Sequence, residues 1–178
     1  MKYYKKVEGE NLYLSPMNIE DVKQYCEWLN NPLISEKTGA SNLVISEQYE
    51  HDWIENTTKS GLHNFSIILK DNDTLIGNCG FSEVDQLRQT GTIGIFIGDK
   101  SNRNKGYGSE ALRLLLRFGF DYLNLHNIML CVFSFNENAI SCYEKVGFKE
   151  FGRRRESYYI NNTRYDSIFM DILRDEYY

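Results

Sequence analysis

Residues 93–112 read IGIFIGDKSNRNKGYGSEAL, and this stretch decides the fold. Residues 91–98 (GTIGIFIG) are rich in β-branched side chains and read as a strand weakened by glycine. A polar loop follows. Arg103-x-x-Gly106-x-Gly108 then opens an amphipathic helix running to about Leu123. Leu112, Leu115, Leu116, Gly119 and Leu123 share one face of it, and Arg113 and Arg117 lie off that face. The turn suits a pyrophosphate. Glycines let the backbone approach an anion, and the free N–H groups of the first turn point at it. The helix dipole adds roughly half a positive charge there. Arg103 and Lys105 supply full charges, and Ser109 supplies a hydroxyl. A Walker loop needs GxxxxGK[ST], which this chain lacks, and the dinucleotide fingerprint GxGxxG is incomplete.

Working outward, residues 11–15 (NLYLS) alternate as an opening strand. Asn18 can cap a helix carrying Ile19, Val22, Cys26 and Leu29 at helical spacing, stopped at Asn30-Asn31-Pro32. A second helix is expected after Ser46, with Tyr49, Trp53 and Ile54 on its inner side. Residues 64–70 and 74–84 are strands around the turn Asp71-Asn72-Asp73. Residues 126–134 form a strand, residues 137–146 a helix closed by Gly147, and residues 148–160 and 164–173 a last hairpin around Asn161-Asn162. The predicted order is βααβββαβαββ. That is an α/β (α+β) fold, a mixed, largely antiparallel twisted sheet with helices on both faces.

A second informative segment is FNENAISCYEKVGF at residues 135–148. Asn136 ends a strand with a free amide, while Ala139, Ile140, Tyr143 and Val146 share a helical face. Composition agrees with one globular domain spanning 1–178. Of 178 residues, 42% are hydrophobic and 25% charged, and only Pro16 and Pro32 are prolines. A net charge of −5 disfavours a polyanion such as nucleic acid and mildly favours a cationic acceptor. Cys26, Cys79, Cys131 and Cys142 lack CxxC spacing and read as buried reduced thiols. His51, His63 and His126 have no metal-ligand spacing with them, so no metal is expected. The basic start Lys2-Tyr3-Tyr4-Lys5-Lys6 is followed by no apolar run, and no apolar stretch reaches a membrane span, which points to a cytoplasmic protein.

RNKGYG followed by SEAL, then NxxAxxxYEKxGF, resembles the GNAT N-acetyltransferase superfamily, in particular the branch of ribosomal-protein alanine and spermidine acetyltransferases. The resemblance implies acetyl-CoA as cosubstrate, bound in a splayed cleft of the sheet. It implies that Ile95, Phe96 and Ile97 hydrogen-bond the pantetheine, and that the loop of Arg103, Asn104, Lys105, Gly106, Tyr107 and Gly108 holds the pyrophosphate. Asn136 is implied to contact the pantetheine arm, and Tyr143 to lie near the sulfur. Tyr143 is the candidate catalytic residue, its role a hydrogen bond to the developing thiolate with proton transfer late or shared. Two positions depart from the family pattern: Asn104 replaces a usual glycine, and Thr92 stands where many relatives carry a glutamate base.

The expected reaction is direct attack of a primary amine on the thioester within a ternary complex. The acceptor is a protein N-terminus, a polyamine or another small amine. An amine of pKa about 10.4 is neutral in only about one part in a few thousand at pH 7, which costs ~4.6 kcal/mol. A base therefore matters, and with Thr92 in the usual place the candidates are Glu83, Asp85 and Glu156. The Arg153-Arg154-Arg155 run reads as a solvated strand end rather than an anion site. Trp28, Trp53, Tyr158 and Tyr159 either line the acceptor side or serve packing. Sheet edges and the last hairpin are candidate surfaces for a homodimer. The alternative reading is a CoA-binding sensor without catalysis, for which Thr92 is the best argument.

Overall fold

The computed structural model describes residues 2–61 and 63–178. Strands β1 (Val7–Glu8), β2 (Leu12–Pro16), β3 (Asn64–Leu69), β4 (Leu75–Asp85), β5 (Thr90–Ile97), β6 (Asn127–Phe133), β7 (Lys149–Ile160) and β8 (Thr163–Leu173) form a sheet ordered β1-β2-β3-β4-β5-β6-β8-β7. Neighbours are antiparallel except β5 and β6, which are parallel. The helices are α1 (Val22–Leu29), α2 (Pro32–Thr38), α3 (Glu47–Lys59), α4 (Tyr107–Arg117), α5 (Glu137–Val146) and a terminal turn α6 (Arg174–Tyr177).

Strand alternation divides the apolar residues into two layers. On one face Tyr13, Ile68 and Leu75 meet Val22, Tyr25 and Trp28 of α1, Ile34 of α2 and Ile54 of α3. On the other, Leu14, Ile67, Ile76, Ile93 and Ile128 meet Leu112 and Leu115 of α4 with Tyr143 and Val146 of α5. Leu112, Leu115 and Leu116 are wholly buried, each worth about 1.5–3 kcal/mol of apolar transfer. That burial fixes where the N-terminus of α4 points.

The mixed sheet with helices on both faces matches the predicted architecture, and α5 has the predicted bounds. The element count does not match. The first helix does stop at Asn30-Asn31-Pro32, α1 ending at Leu29, but Pro32 also occupies the first turn of an unexpected helix, α2, capped by the Asn31 side chain accepting from Leu33 N at 3.0 Å. A missing N–H costs nothing at that position, so Asn-Pro starts a helix as readily as it ends one. Asn18 does cap its segment, accepting from Glu20 N at 2.9 Å, but the turn it opens is a 3-10 turn preceding α1. The inner side of α3 is Glu50, Ile54 and Thr57, whereas Tyr49 and Trp53 face solvent. The long helix also ends early. After Arg117 it widens into a π turn, Phe118–Tyr122, where Leu123 N reaches Phe118 O at 3.2 Å. Gly119 sits there with its backbone pressed on Ile128 and Phe81.

Candidate active site

The site begins with a fork in the sheet. β5 and β6 pair only at Thr90↔Asn127, Gly91↔Ile128 and Thr92↔Met129. Beyond that point β5 stays in register with β4 as far as Gly77↔Ile97, and β6 with β8 as far as Phe133↔Ser167. Each strand is thus held by its outer neighbour while the two diverge. Their facing edges carry main-chain groups with no strand partner among the described residues. Ile95, Phe96 and Ile97 lie on one edge of this opening, so the structure brings them where a linear ligand carrying amides could pair.

The mouth of the fork is the turn into α4. Asn104 and Gly106 adopt positive φ, +59° and +84°, and the helix starts at Tyr107. A side chain at +84° would be strained, so glycine is required by the turn itself. Main-chain amides from Asn104 to Ser109 have no hydrogen-bond partner among the described residues. Glu110, the acid in the first turn, is drawn away from them. Its carboxylate accepts from the amides of Asn11 and Leu12 at 2.8 and 3.2 Å, and from the Asn11 side chain at 3.0 Å. The row of N–H groups and the helix dipole are left facing outward, and Lys105 is exposed beside them.

Arg103 has a different position from the one expected of a free phosphate ligand. Its Nε donates to Ile97 O at 3.2 Å and its guanidinium to Gly98 O at 2.7 Å. The side chain ties the turn to the end of β5, and sequence spacing alone could not show that. Gly98 is packed equally closely from the other side: a Cβ there would lie 2.1 Å from the Trp28 ring. Trp28 is buried, edge-on to Phe96 with centroids 6.1 Å apart, and its Nε1 donates to Asp99 at 3.4 Å. It therefore props the diverging end of β5.

Across the fork, Asn136 caps α5 with its carbonyl, accepting from Ala139 N and Ile140 N at 3.0 and 3.1 Å. Its side-chain amide makes no cap bond. Tyr143, one turn and more along α5, is only 9% exposed and its hydroxyl has no partner among the described residues. The one fully sealed, unpartnered side-chain oxygen among the described residues is Asp21 Oδ2, so the Tyr143 hydroxyl reaches open space. Burial, then the nearby thiols of Cys142 and Cys131, push its phenol well above the ordinary value. It stays protonated at neutral pH and can donate. Ser109, expected to add a phosphate donor, instead contacts Cys142, Oγ to Sγ 3.1 Å, and links α4 to α5.

The opposite face of the fork is bridged. Tyr158 of the last hairpin stacks on Phe133 at 3.8 Å. Its hydroxyl donates to Glu36 O of α2 at 3.0 Å and lies 3.0 Å from Ser41 Oγ. Asn161 Nδ2 donates to Glu36 Oε1 at 3.4 Å. The hairpin tip, where Asn161 and Asn162 take positive φ as the turn demands, thus joins the half of the sheet beyond β6 to the helices over the other half. Trp53 and Tyr159 are exposed and take no part in that bridge.

The carboxylates separate by environment. Glu83 pairs across from Thr92, brought there by a bulge between Phe81 and Glu83, and is exposed. Asp85 is held below the ordinary carboxylate range by the backbone amide and then the guanidinium of Arg88. Glu156 sits at φ +50° in a second bulge, exposed, with its N–H donated to Asp166. Sequence reasoning missed Glu50. It is 3% exposed, accepts no hydrogen bond among the described residues, and burial raises its pKa to about 7. The signal was its i, i+4, i+7 spacing with Ile54 and Thr57, an inward register for a charge. Arg153 is neutralised by Glu150 at 3.1 Å and Asp166 at 3.3 Å. The reading of all four cysteines as buried fails: Cys79 is buried, Cys26 and Cys142 are partly so, and Cys131 is exposed. No cluster of three His, Cys, Asp or Glu among the described residues could hold a metal ion. No helix among them is long and apolar enough to cross a membrane.

A row of unpartnered main-chain amides lies at the mouth of a split sheet with free strand edges, and Tyr143 lies buried and protonated on the α5 side. Residues 11–149 match the acetyltransferase (GNAT) domain, and the chain belongs to that family of acetyl-CoA-dependent N-acetyltransferases. An uncharacterised N-acetyltransferase, p20, of Bacillus licheniformis is 29% identical over 171 residues, covering 94% of this chain and 96% of its own. A putative ribosomal N-acetyltransferase, YdaF, of Bacillus subtilis is 29% identical over 104 residues, 58% of this chain and 56% of its own. The spermidine N-acetyltransferase of Vibrio cholerae, solved with CoA and spermine, shares the fold at a TM-score of 0.87 and 24% identity, over 95% of this chain and 99% of that one.

Proposed function

We propose that this chain, as a single domain over 1–178, moves the acetyl group of acetyl-CoA to a primary amine by direct attack within a ternary complex. The observation that carries the reading is the fork between β5 and β6 with unpartnered amides of residues 104–109 at its mouth. These groups fit the coenzyme chemically: N–H donors and Lys105 for the diphosphate, strand edges at Ile95, Phe96 and Ile97 for the amides of the arm, and the free amide of Asn136 across from them. When bound, acetyl-CoA supplies an activated acetyl thioester. Arg103, and through it Gly98 and Trp28, hold the cradle at a fixed distance from the strand edge.

In this reading Tyr143 donates a hydrogen bond to the departing sulfur. A thiol of pKa about 8.5 is a stronger acid than a phenol of about 10, so full proton transfer is already uphill by ~2 kcal/mol in water. Burial of Tyr143 raises that barrier further. Its contribution is therefore stabilisation of developing charge rather than early protonation. The acceptor approaches from the face bridged by Tyr158, where a protein N-terminus, a polyamine or another small amine would compete. Isothermal calorimetry with CoA and acetyl-CoA, followed by thiol release across an amine panel, tests the proposal. Micromolar affinity and turnover on at least one amine are expected. Absence of affinity for either form refutes the site, and binding without turnover on any amine favours a sensor.

A further inference from the structure

The thiol that breaks the buried pattern, Cys131, stands at the fork. The register Thr90↔Asn127, Gly91↔Ile128, Thr92↔Met129, continued in step, sets Gly94 opposite Cys131 across the opening. Both lie on the same face. Ile93, Ile95 and Ile97 on β5 and Ile128, Leu130 and Val132 on β6 pack toward α4 and α5, so their alternates, Gly94 and Cys131, face the other way. Gly94 is exposed and a Cβ built there would meet nothing within 4 Å. Open space thus adjoins the thiol. A second group, in the opposite layer, lies within electrostatic reach of the same thiol. It is Tyr143, 9% exposed, whose hydroxyl has no hydrogen-bond partner among the described residues and whose phenol is raised by burial first, then by Cys142 and Cys131.

We infer that Cys131 is a covalent modification site for the coenzyme itself, forming a mixed disulfide with coenzyme A seated in the fork. The inference rests on the coenzyme site proposed above. The reaction is thiol–disulfide exchange with coenzyme A disulfide as the oxidant. Cys131 gives its proton to solvent, and its sulfur attacks one sulfur of that reagent. The reagent's S–S bond breaks, a new S–S bond to Cys131 forms, and one coenzyme A departs as thiolate and takes up a proton. The surroundings hold the Cys131 thiol above its ordinary value, with Ser167 working the other way, so it is a slow nucleophile toward disulfides at large. Selectivity comes from placement: a reagent docked by its diphosphate presents its sulfur at the effective concentration of a neighbour. The consequence is a reversible block in which the arm is tethered and the acetylated coenzyme cannot enter.

Intact-mass measurement after incubation with coenzyme A disulfide should show one coenzyme A added per chain, removed by dithiothreitol. Peptide mapping should place it on Cys131. Cys131→Ser should lower the adduct at least about tenfold, and oxidised glutathione at equal concentration should label at least about tenfold more slowly, because it lacks the docking group. Excess coenzyme A analogue lacking the sulfur should suppress labelling. Equal labelling by both disulfides, or an adduct on Cys26 or Cys142, overturns the inference. Calorimetry separates the layers: coenzyme A binding without any adduct sinks the inference alone, whereas loss of binding sinks the site reading with it.

Discussion

Glu50 offers a measurement in which the structure fixes sign and size together. It sits on the inward side of α3, 3% exposed and with no side-chain hydrogen bond among the described residues, and burial lifts its pKa from the ordinary 4.5 to about 7. Below pH 4.5 both folded and unfolded chains carry the proton, and the group is neutral to stability. Between there and about pH 7 the unfolded chain releases its proton first, so stability falls as pH rises. Above about pH 7 the full penalty stands, about 3 kcal/mol from the two pKa values at 1.36 kcal/mol per tenfold change. Glu50→Gln keeps the shape and removes the charge. Urea unfolding of both proteins at pH 5 and pH 8 should show the variant gaining roughly 2–3 kcal/mol more at pH 8 than at pH 5. The difference between the two proteins cancels every other titrating group. Equal gains at both pH values, or a variant less stable at pH 8, refute the argument.

Two further outcomes test the site. Tyr143→Phe should lower turnover at least about tenfold, the usual range for a positioned proton donor, with coenzyme A affinity held; unchanged single-turnover rates remove the role. Gly98→Ala puts a methyl 2.1 Å from the Trp28 ring. Since that ring is locked by Tyr25 and Phe96, the change should cost about 1–3 kcal/mol in thermal unfolding and weaken coenzyme A binding. A melting temperature equal to the parent's would show that Trp28 does not brace β5.

Local signals carried the sequence reading where one segment decides its own shape. The apolar face of α5 with Gly147 behind it gave both ends of that helix, and Leu112, Leu115 and Leu116 gave the orientation of α4. Gly106 was legible because a positive φ selects glycine. What could not be read depends on partners distant in sequence. The fork is a relation between β4 holding β5 and β8 holding β6, written in no single stretch. Arg103 looked like a ligand because spacing shows charge but not where the guanidinium turns. Cys131 looked buried because a strand of apolar neighbours gives no sign that the adjoining edge is open. Glu50 was hidden by assigning the inward side of α3 to Tyr49 and Trp53, the larger apolar rings, when they face solvent.

The unmated seam between β5 and β6 has an implication for association. An exposed rim of a sheet invites another chain to add to it, but this seam lies in the interior, flanked by paired strands on both sides and spanned by the Tyr158 contact with α2. A second polypeptide cannot reach it as it would reach a border. A narrow, flexible molecule bearing its own amides can slide in and serve as a temporary rung. On the proposed reading, raw backbone in this seam serves the coenzyme's arm rather than another strand.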